Sequence, residues 1–359
     1  MPDFNLSNLT LMTMAPGNRF LVDDKGLPSA MVRIPKFKIS DVITGGSNTV
    51  HPAFIVNGVE VPEVWISKFQ NVLYDGRAYS LPNEDPRASI DFDTARVACE
   101  SKGRGWHLMT RAECAAIALW CRKNNLMPRG NNNYGKDHLE TDFLASPATY
   151  EGDGRTARTL TGSGPLTWSH DGTPSGIMDL NGNVWEWTGG YRTNEGEIQI
   201  LPNNNAADSQ YDQGASSGAW RAILQDGSLV NPGTANTLKW DYTADPGESG
   251  GKVFRLNTTL QFKQAVEGPN GDMTFQSLTA ASGVTAPELL KALALFPADT
   301  GSHGDDRIYM RNLGERLSCA GGNWRGGSNA GVFSLDGGNP RSNSITSIGF
   351  RAAFVNLPS

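Results

Sequence analysis

Turn-forming residues divide this chain into short segments, and this constrains its fold more than any other feature of the sequence. The 359 residues include 41 Gly and 20 Pro. Two helices stand out between the turns. One is capped by Asp91 or Asp93 and runs to Glu100, and one begins with a Thr110–Glu113 capping box and ends near Asn124. A third, shorter helix is predicted over Ala286–Leu295. The pattern favours a fold with few helices and many turns.

Short strands are predicted between these helices. Residues 30–39 alternate like a strand, and Pro35 places that strand at an edge or breaks it. Two apolar runs, 54–56 and 59–61, flank Asn57-Gly58, which is the strongest short-range signal for a β-hairpin. Residues 64–69 and 184–187 also alternate as strands do.

Composition excludes several classes of function. The net charge is −6, so no basic surplus favours nucleic acid or an anionic membrane. No apolar stretch approaches the roughly 18 residues of a membrane-spanning helix. The first residues lack the pattern of a signal peptide. The four cysteines are too few for a disulfide scaffold, and we expect free or buried thiols.

The chain divides by composition into five ranges. Residues 1–27 are predicted to be an N-terminal arm or a short extra strand. Residues 28–195 and 310–357 are predicted to form one core, and 196–309, with its Asn and Gly clusters, to be an insertion within it. Within the second part of the core, residues 321–347 are small and polar.

Several separated motifs occur in a characteristic order along the core. They are MVRIP at 31–35, WISKF at 65–69, the helix at 91–99, GWHLMTRAE at 105–113, GIMDLNGNVWEW at 176–187, AGGNW at 320–324 and IGFRAA at 348–353. Together they resemble the formylglycine-generating-enzyme-like branch of the C-type lectin fold. The resemblance implies an α+β fold with few helices, short strands, many loops and an insertion. It also implies that Trp185, Trp187, Trp324 and Glu186 belong to the scaffold and need buried partners.

The catalytic residues of that branch are missing from this chain. Its oxidases resemble this chain up to Trp324, but then carry two cysteines that bind copper, whereas residues 325–338 contain none and Cys319 precedes the motif. A second enzymatic branch holds iron with three histidines, and the five histidines here are scattered without metal-binding spacing. We therefore expect no catalytic residue, no metal site and no cofactor, and the chain is not expected to be an enzyme.

Residues 321–347 resemble the variable region of gut-phage-like proteins that are diversified by retroelements on the same lectin fold. The resemblance implies that an error-prone reverse transcriptase randomises adenines, so Asn codons become codons for many residues but not Lys, Glu, Gln, Met or Trp. Residues 321–350 contain no Lys, Glu, Gln or Met. The positions aligned with variable codons, and therefore the predicted ligand-binding residues, are Arg325, Gly326, Asn329, Asp336, Gly338, Asn339, Asn343, Ile345 and Ser347. They are expected to face solvent, whereas Val332, Phe333, Leu335, Arg341 and Ile348 are expected to keep the scaffold. Gly337 and Pro340 depart from the pattern.

The function implied is that of a receptor-binding protein, such as a phage tail adhesin. Its expected partner is a protein or glycan on a bacterial surface, with no nucleic acid and no membrane insertion. The expected location is the virion, and otherwise the bacterial surface or cytoplasm. A homo-oligomer, or virion assembly through the N-terminal arm, is left open. Two alternatives also stay open: an oxidase of the formylglycine-generating type, disfavoured by the missing cysteines, and an undiversified structural lectin-fold protein.

Overall fold

A computed structural model describes residues 13–247 and 252–357, and within them β-strands far outnumber helices. The α-helices with both ends in these ranges are α1 (Ile39–Val42), α2 (Phe92–Glu100), α3 (Arg111–Lys123) and α4 (Glu288–Ala292). The first ten strands are β1 (Asn18–Val22), β2 (Pro28–Pro35), β3 (Ile55–Val56), β4 (Val59–Glu60), β5 (Glu63–Ser67), β6 (Val72–Tyr74), β7 (Arg77–Tyr79), β8 (Trp106–Leu108), β9 (Trp185–Asn194) and β10 (Glu197–Ile200). The others are β11 (Arg221–Ile223), β12 (Leu229–Val230), β13 (Lys239–Tyr242), β14 (Phe254–Asn257), β15 (Gly271–Thr274), β16 (Arg307–Met310), β17 (Glu315–Gly321), β18 (Gly331–Asn339), β19 (Ile348–Phe350) and β20 (Ala352–Phe354). The prediction of few helices and many short strands is confirmed, and sheet predominates over helix.

Two main sheets organise these strands. The smaller has the order β1-β2-β5-β20-β8. The larger follows β12-β11-β10-β9-β17-β18-β16-β15, with β13 and β14 attached through β10 and β19 attached to β9. Strands β3–β4 and β6–β7 form separate hairpins. Because β19 and β20 are separated only by Arg351, the chain passes from one main sheet to the other at that residue.

Pro35 ends the strand predicted over residues 30–39, which confirms the second of the two expectations for this proline and contradicts the first, an edge position. Strand β2 pairs with β1 on one side and with β5 on the other, so it is an interior strand and not an edge strand. Pro35 is its last residue, where the missing N–H no longer interrupts the ladder. Within the predicted arm 1–27, Asn18–Val22 forms β1, and residues 1–12 lie outside the described ranges.

Local signals in the sequence predicted several elements correctly. Asn57 and Gly58 adopt φ of 55° and 75° between β3 and β4, as the favoured hairpin turn requires. The Asp91 side chain, and not that of Asp93, accepts the N–H of Thr94 and caps α2. Thr110 and Glu113 form the predicted capping box of α3. The third predicted helix is shorter than expected and spans only Glu288–Ala292.

The segment 196–309 continues the larger sheet. Its first strand, β10, pairs with β9, and its last, β16, pairs in parallel with β18. The division of the chain into a core and an insertion stays a prediction, because these strands adjoin the strands of the core on both sides.

Helices α2 and α3 pack on opposite faces of the central strands β9 and β17. Phe92 of α2 packs with Trp187 and Cys319 in one buried cluster. Ile117 of α3 belongs to another, together with Ala320. The four cysteines are buried and free, as expected from their number.

A buried ion pair joins the two motifs that flank the segment 196–309. The guanidinium of Arg351 donates through Nε and Nη2 to the two carboxylate oxygens of Glu186, both at 2.8 Å. Its Nη1 donates to the Ser67 carbonyl at 2.8 Å. Gln70 also donates to Glu186, at 2.9 Å, and accepts from Asn183 at 2.9 Å. The expectation that Glu186 needs a buried partner is thus confirmed, and the pair connects both main sheets.

Two of the scaffold tryptophans, Trp187 and Trp324, also find partners for their indole N–H groups. Trp187 donates to the Ile90 carbonyl at 2.9 Å, and Trp324 donates to the Glu151 carboxylate at 2.7 Å. Such bonds allow large aromatic rings to be buried without an unsatisfied donor.

We expect Arg351→Met to lower the free energy of unfolding by about 3–5 kcal/mol, because it leaves the Glu186 carboxylate buried without its cation. Chemical denaturation measures this change. Replacing both residues, in Arg351→Met/Glu186→Met, is expected to cost less than the two single changes added together. Additive losses would contradict a direct coupling between the two side chains.

Asp179 makes stability depend on pH. Burial raises the pKa of its carboxyl from the ordinary 3.8 to about 6, although it accepts the N–H of Gly162. The folded state therefore binds the proton more tightly than the unfolded state, and stability falls as pH rises from about 4 to about 6.

Asp179→Asn removes this dependence, and Asn tolerates the φ of 61° found there. At about pH 7.5 the variant is expected to be more stable than wild type by up to about 3 kcal/mol, and below about pH 4 the difference should disappear. Denaturation across this pH range measures it. A difference that stays constant with pH would show that Asp179 does not titrate as described.

Candidate functional site

The predicted binding residues fall on three parts of the segment between β17 and β19. The first is the loop over 322–330, the second is strand β18, and the third is the loop over 340–347. These parts differ in burial, so the nine predicted residues are not equivalent.

The loop over 322–330 carries Arg325, Gly326 and Asn329. Its backbone is fixed at two points, since Tyr134 N–H donates to the Trp324 carbonyl and Gly327 N–H donates to the Asn132 carbonyl, both at 2.8 Å. Arg325 is exposed, with its guanidinium carbon 5.8 Å from the centre of the Trp324 ring. Gly326 and Asn329 are half-buried. The loop thus presents one long cationic side chain from a held backbone.

Strand β18 carries Asp336, Gly338 and Asn339. The half-buried Asp336 accepts from the Asn270 side chain at 3.2 Å and from the Gly338 N–H at 2.9 Å, and burial raises the pKa of its carboxyl. Gly338 and Asn339 are buried, so the expectation that they face solvent is wrong. The reason is that β18 lies between β17 and β16, and a Cβ added at Gly338 would lie 2.2 Å from Asn270 Oδ1.

The loop over 340–347 carries Asn343, Ile345 and Ser347. Ile345 is exposed, while its carbonyl accepts the Ser89 N–H at 3.1 Å. Asn343 is half-buried and donates to the Asn339 side chain at 2.7 Å. Ser347 is buried, which contradicts its expected exposure, because its carbonyl accepts the Trp185 N–H at 2.9 Å where β19 joins the sheet.

The residues expected to keep the scaffold are buried or half-buried. Val332, Phe333, Leu335 and Ile348 are buried. Arg341 is half-buried and its guanidinium donates to the carboxylates of Glu315 and Asp93. Predicted binding residues and scaffold residues therefore alternate along much of the segment.

An aromatic patch formed by Tyr309 and Trp185 lies beside Asp336, and no sequence motif indicates it. Tyr309 is the register partner of Asp336 across β16 and β18, and its ring centre lies 6.1 Å from that of Trp185. Both rings are half-buried. Trp185 was assigned to the scaffold, and Tyr309 lies in the predicted insertion, so only the strand pairing could bring the two together. Half-exposed aromatic rings are common anchors in binding surfaces.

A polar cleft of about 460 Å³ lies beside the loop over 322–330. Its lining includes Arg129, His138, Asp306 and Ser328. Burial raises the pKa of Asp306 well above its usual range, although its carboxylate accepts the Phe333 N–H at 2.7 Å. No motif in the sequence indicated this cleft, because its walls come from loops distant in the chain.

The four cysteines are not activated as nucleophiles. Burial raises the pKa of all four thiols, to about 12 for Cys114, so none favours the nucleophilic thiolate. In residues 13–247 and 252–357, no group of three or more His, Cys, Asp or Glu side chains is arranged to hold a metal ion. Among the same residues, no helix is long and apolar enough to cross a membrane.

Comparison with known proteins identifies no family. The chain matches no family model and no curated protein sequence. Similar solved structures include PvdO from Pseudomonas aeruginosa, with 14% identity, coverage of 95% of this chain and 99% of that chain, and a TM-score of 0.31. They also include the P3c and U1 variants of the major tropism determinant, each with 12% identity, coverage of 94% of this chain and 71% of that chain, and a TM-score of 0.30. Structural similarity at this level establishes neither a shared fold nor a shared activity.

Proposed function

We propose that this chain is a ligand-binding protein of the C-type lectin fold whose C-terminal surface is diversified by adenine-directed mutagenesis, and that it serves as a phage tail adhesin. Its partner is a protein or glycan on a bacterial surface, and its location is the virion. The proposal rests on the order of the lectin-fold motifs and on the composition of residues 321–347.

The observation that carries the proposal is the separation of exposed side chains from a fixed backbone. Arg325 and Ile345 are exposed, yet main-chain hydrogen bonds to Tyr134, Asn132 and Ser89 hold their loops. A surface of this kind tolerates many side chains without loss of the fold, as antibody loops do.

The nine positions differ in burial, and we include only the exposed and half-buried ones in the proposed ligand contact set. Arg325, Gly326, Asn329, Asp336, Asn343 and Ile345 form the contact set in this proposal. Gly338, Asn339 and Ser347 are buried and do not belong to the contact set. Large side chains are expected to be rare at these three positions. Trp185 and Tyr309 supply fixed aromatic area next to Asp336.

The proposal disfavours the oxidase of the formylglycine-generating type, because no described cysteine is both accessible and activated. The oxidase of the formylglycine-generating type needs copper bound by reactive thiols after Trp324, and Cys319 is fully buried. Stoichiometric copper or iron in the purified protein, together with oxidation of a substrate thiol, would overturn this part of the proposal.

Arg325→Ala and Ile345→Ala are expected to change the melting temperature by less than about 2 °C, since exposed side chains away from special backbone contribute little to stability. Gly338→Val is expected to lower it by several degrees, because the new side chain meets Asn270. Asp336→Ala should be intermediate, with a loss of about 1 kcal/mol from its two hydrogen bonds.

Binding of the same variants to an array of bacterial surface glycans and proteins gives the functional readout. Arg325→Ala and Ile345→Ala should change the array pattern while the fold stays intact. Asp226→Ala, which alters an exposed turn distant in sequence from the candidate segment, is the control. An unchanged pattern for both variants would place the binding surface elsewhere.

The flanking DNA tests diversification separately. We expect an imperfect repeat of codons 320–351 with mismatches at adenines only, and a nearby reverse transcriptase gene. Deep sequencing of a growing population should show variation concentrated at codons 325, 326, 329, 336, 343 and 345. A uniform segment without a repeat would leave an undiversified lectin-fold protein.

A further inference from the structure

A second cavity lies apart from the candidate binding segment. It has a volume of about 230 Å³ and is bounded by β2, by α3 and by the loop that follows Trp168. Its apolar lining includes Val32 and Ile34 from β2 and Ile117 and Trp120 from α3. Concave, mostly apolar pockets with a few polar groups are the usual form of small-molecule sites, and this volume suits a ligand with a single ring.

The imidazole of His170 supplies a hydrogen-bond donor to this cavity. Its Nδ1 accepts the N–H of Ile177 at 2.8 Å, so the ring hydrogen lies on Nε2, the nitrogen left for a ligand. Burial lowers the pKa of His170 to about 4, so the ring is neutral at pH 7. The ring centre lies 5.4 Å from that of Trp120, which places the donor beside an aromatic wall.

The carboxylate of Asp171, which also lines the cavity, supplies an acceptor. Local hydrogen bonds from the Ser169 hydroxyl and from the N–H and hydroxyl of Thr173 all go to Oδ1, each at 2.9 Å. They fix the orientation of the side chain and leave Oδ2 for a ligand. The site thus presents a donor and an acceptor on consecutive residues.

The cations near the cavity are already engaged. The ammonium of Lys68 donates to Asn18 Oδ1 at 3.0 Å and to the carbonyls of Pro174 and Gly176 at 2.6 and 2.8 Å, which uses its three hydrogens. Arg33 forms an ion pair with Glu63. Lys68 therefore has no hydrogen left to donate to a ligand, whereas the Asp171 carboxylate would lie close to it, so a ligand with its own carboxylate is disfavoured.

We propose that this cavity binds a small neutral aromatic molecule that carries a primary amide. The ring packs against Trp120 and the apolar floor, the amide oxygen accepts from His170 Nε2, and the amide nitrogen donates to Asp171 Oδ2. This site is independent of the proposed adhesin surface.

Benzamide and benzoate test the proposal, because they have nearly the same shape and differ in the group that faces His170 and Asp171. Both are titrated into the full-length protein at about pH 7.5, with binding followed by ligand-observed NMR and calorimetry. Benzamide is expected to saturate the site and to bind at least tenfold more tightly than benzoate, whose carboxylate faces that of Asp171. A benzamide Kd weaker than about 10 mM, or equal binding of the two, would overturn the proposal.

Variants assign the binding to this cavity. Asp171→Asn keeps an oxygen for Ser169 and Thr173 but removes the charge, and it is expected to strengthen benzoate binding at least tenfold. Trp120→Ala should weaken benzamide at least tenfold. The matched control Asp226→Asn removes an exposed carboxylate that also accepts a turn N–H, and should change neither affinity.

If Trp120→Ala fails to fold, Asp171→Asn still tests the proposal, because this variant is expected to change the preference between the two ligands and not only the affinity. Melting curves of each variant establish folding before titration. If Asp171→Asn leaves the preference for benzamide over benzoate unchanged, the assigned polar contacts are wrong.

Discussion

The rest of the structure depends on the buried contact between Arg351 and Glu186. Arg351 stands at the single-residue junction between β19 and β20, so its position is shared by both main sheets. Its guanidinium is fully buried, and a buried guanidinium is tolerated only when its donors are used. Glu186, Ser67 and Met178 use them, the last through its carbonyl at 3.0 Å. The two sheets are therefore fixed relative to each other by directional bonds as well as by apolar packing.

This contact explains why two motifs so far apart in the chain belong together. Glu186 lies in the GNVWEW run and Arg351 in the GFR run, and strand β19 runs parallel to β9 so that Gly349 pairs with Glu186. The candidate segment is the chain between β17 and β19. Both of its ends are consequently held by central strands, and its loops start and finish at fixed points.

Local signals in the sequence predicted the parts of the fold that depend on local energetics. The Asn57-Gly58 turn and the Thr110 capping box were correct because each depends on residues at most a few positions apart. Pro35 correctly indicated a break in the strand. The interior position of β2 could not be predicted, because it depends on pairing with β5. In the candidate site, the burial of Val332, Phe333 and Leu335 and the exposure of Arg325 and Ile345 were predictable. The burial of Gly338 and Ser347 was not, because it comes from Asn270, next to β15, and from Trp185 on β9, both distant in the chain. The cavity beside His170 could not be predicted from the sequence either, since its walls come from parts of the chain that are distant in sequence.

The fixed loop over 322–330 has a consequence for the rates of binding. The hydrogen bonds at Tyr134 and Gly327 are between main-chain atoms, so they do not depend on which side chains the loop carries. A ligand therefore meets a loop whose backbone is already ordered, and only side-chain rotamers lose entropy on contact. Proteins that differ only at the exposed positions should encounter a given ligand at similar rates, and their affinities should differ mainly in how long the complex lasts.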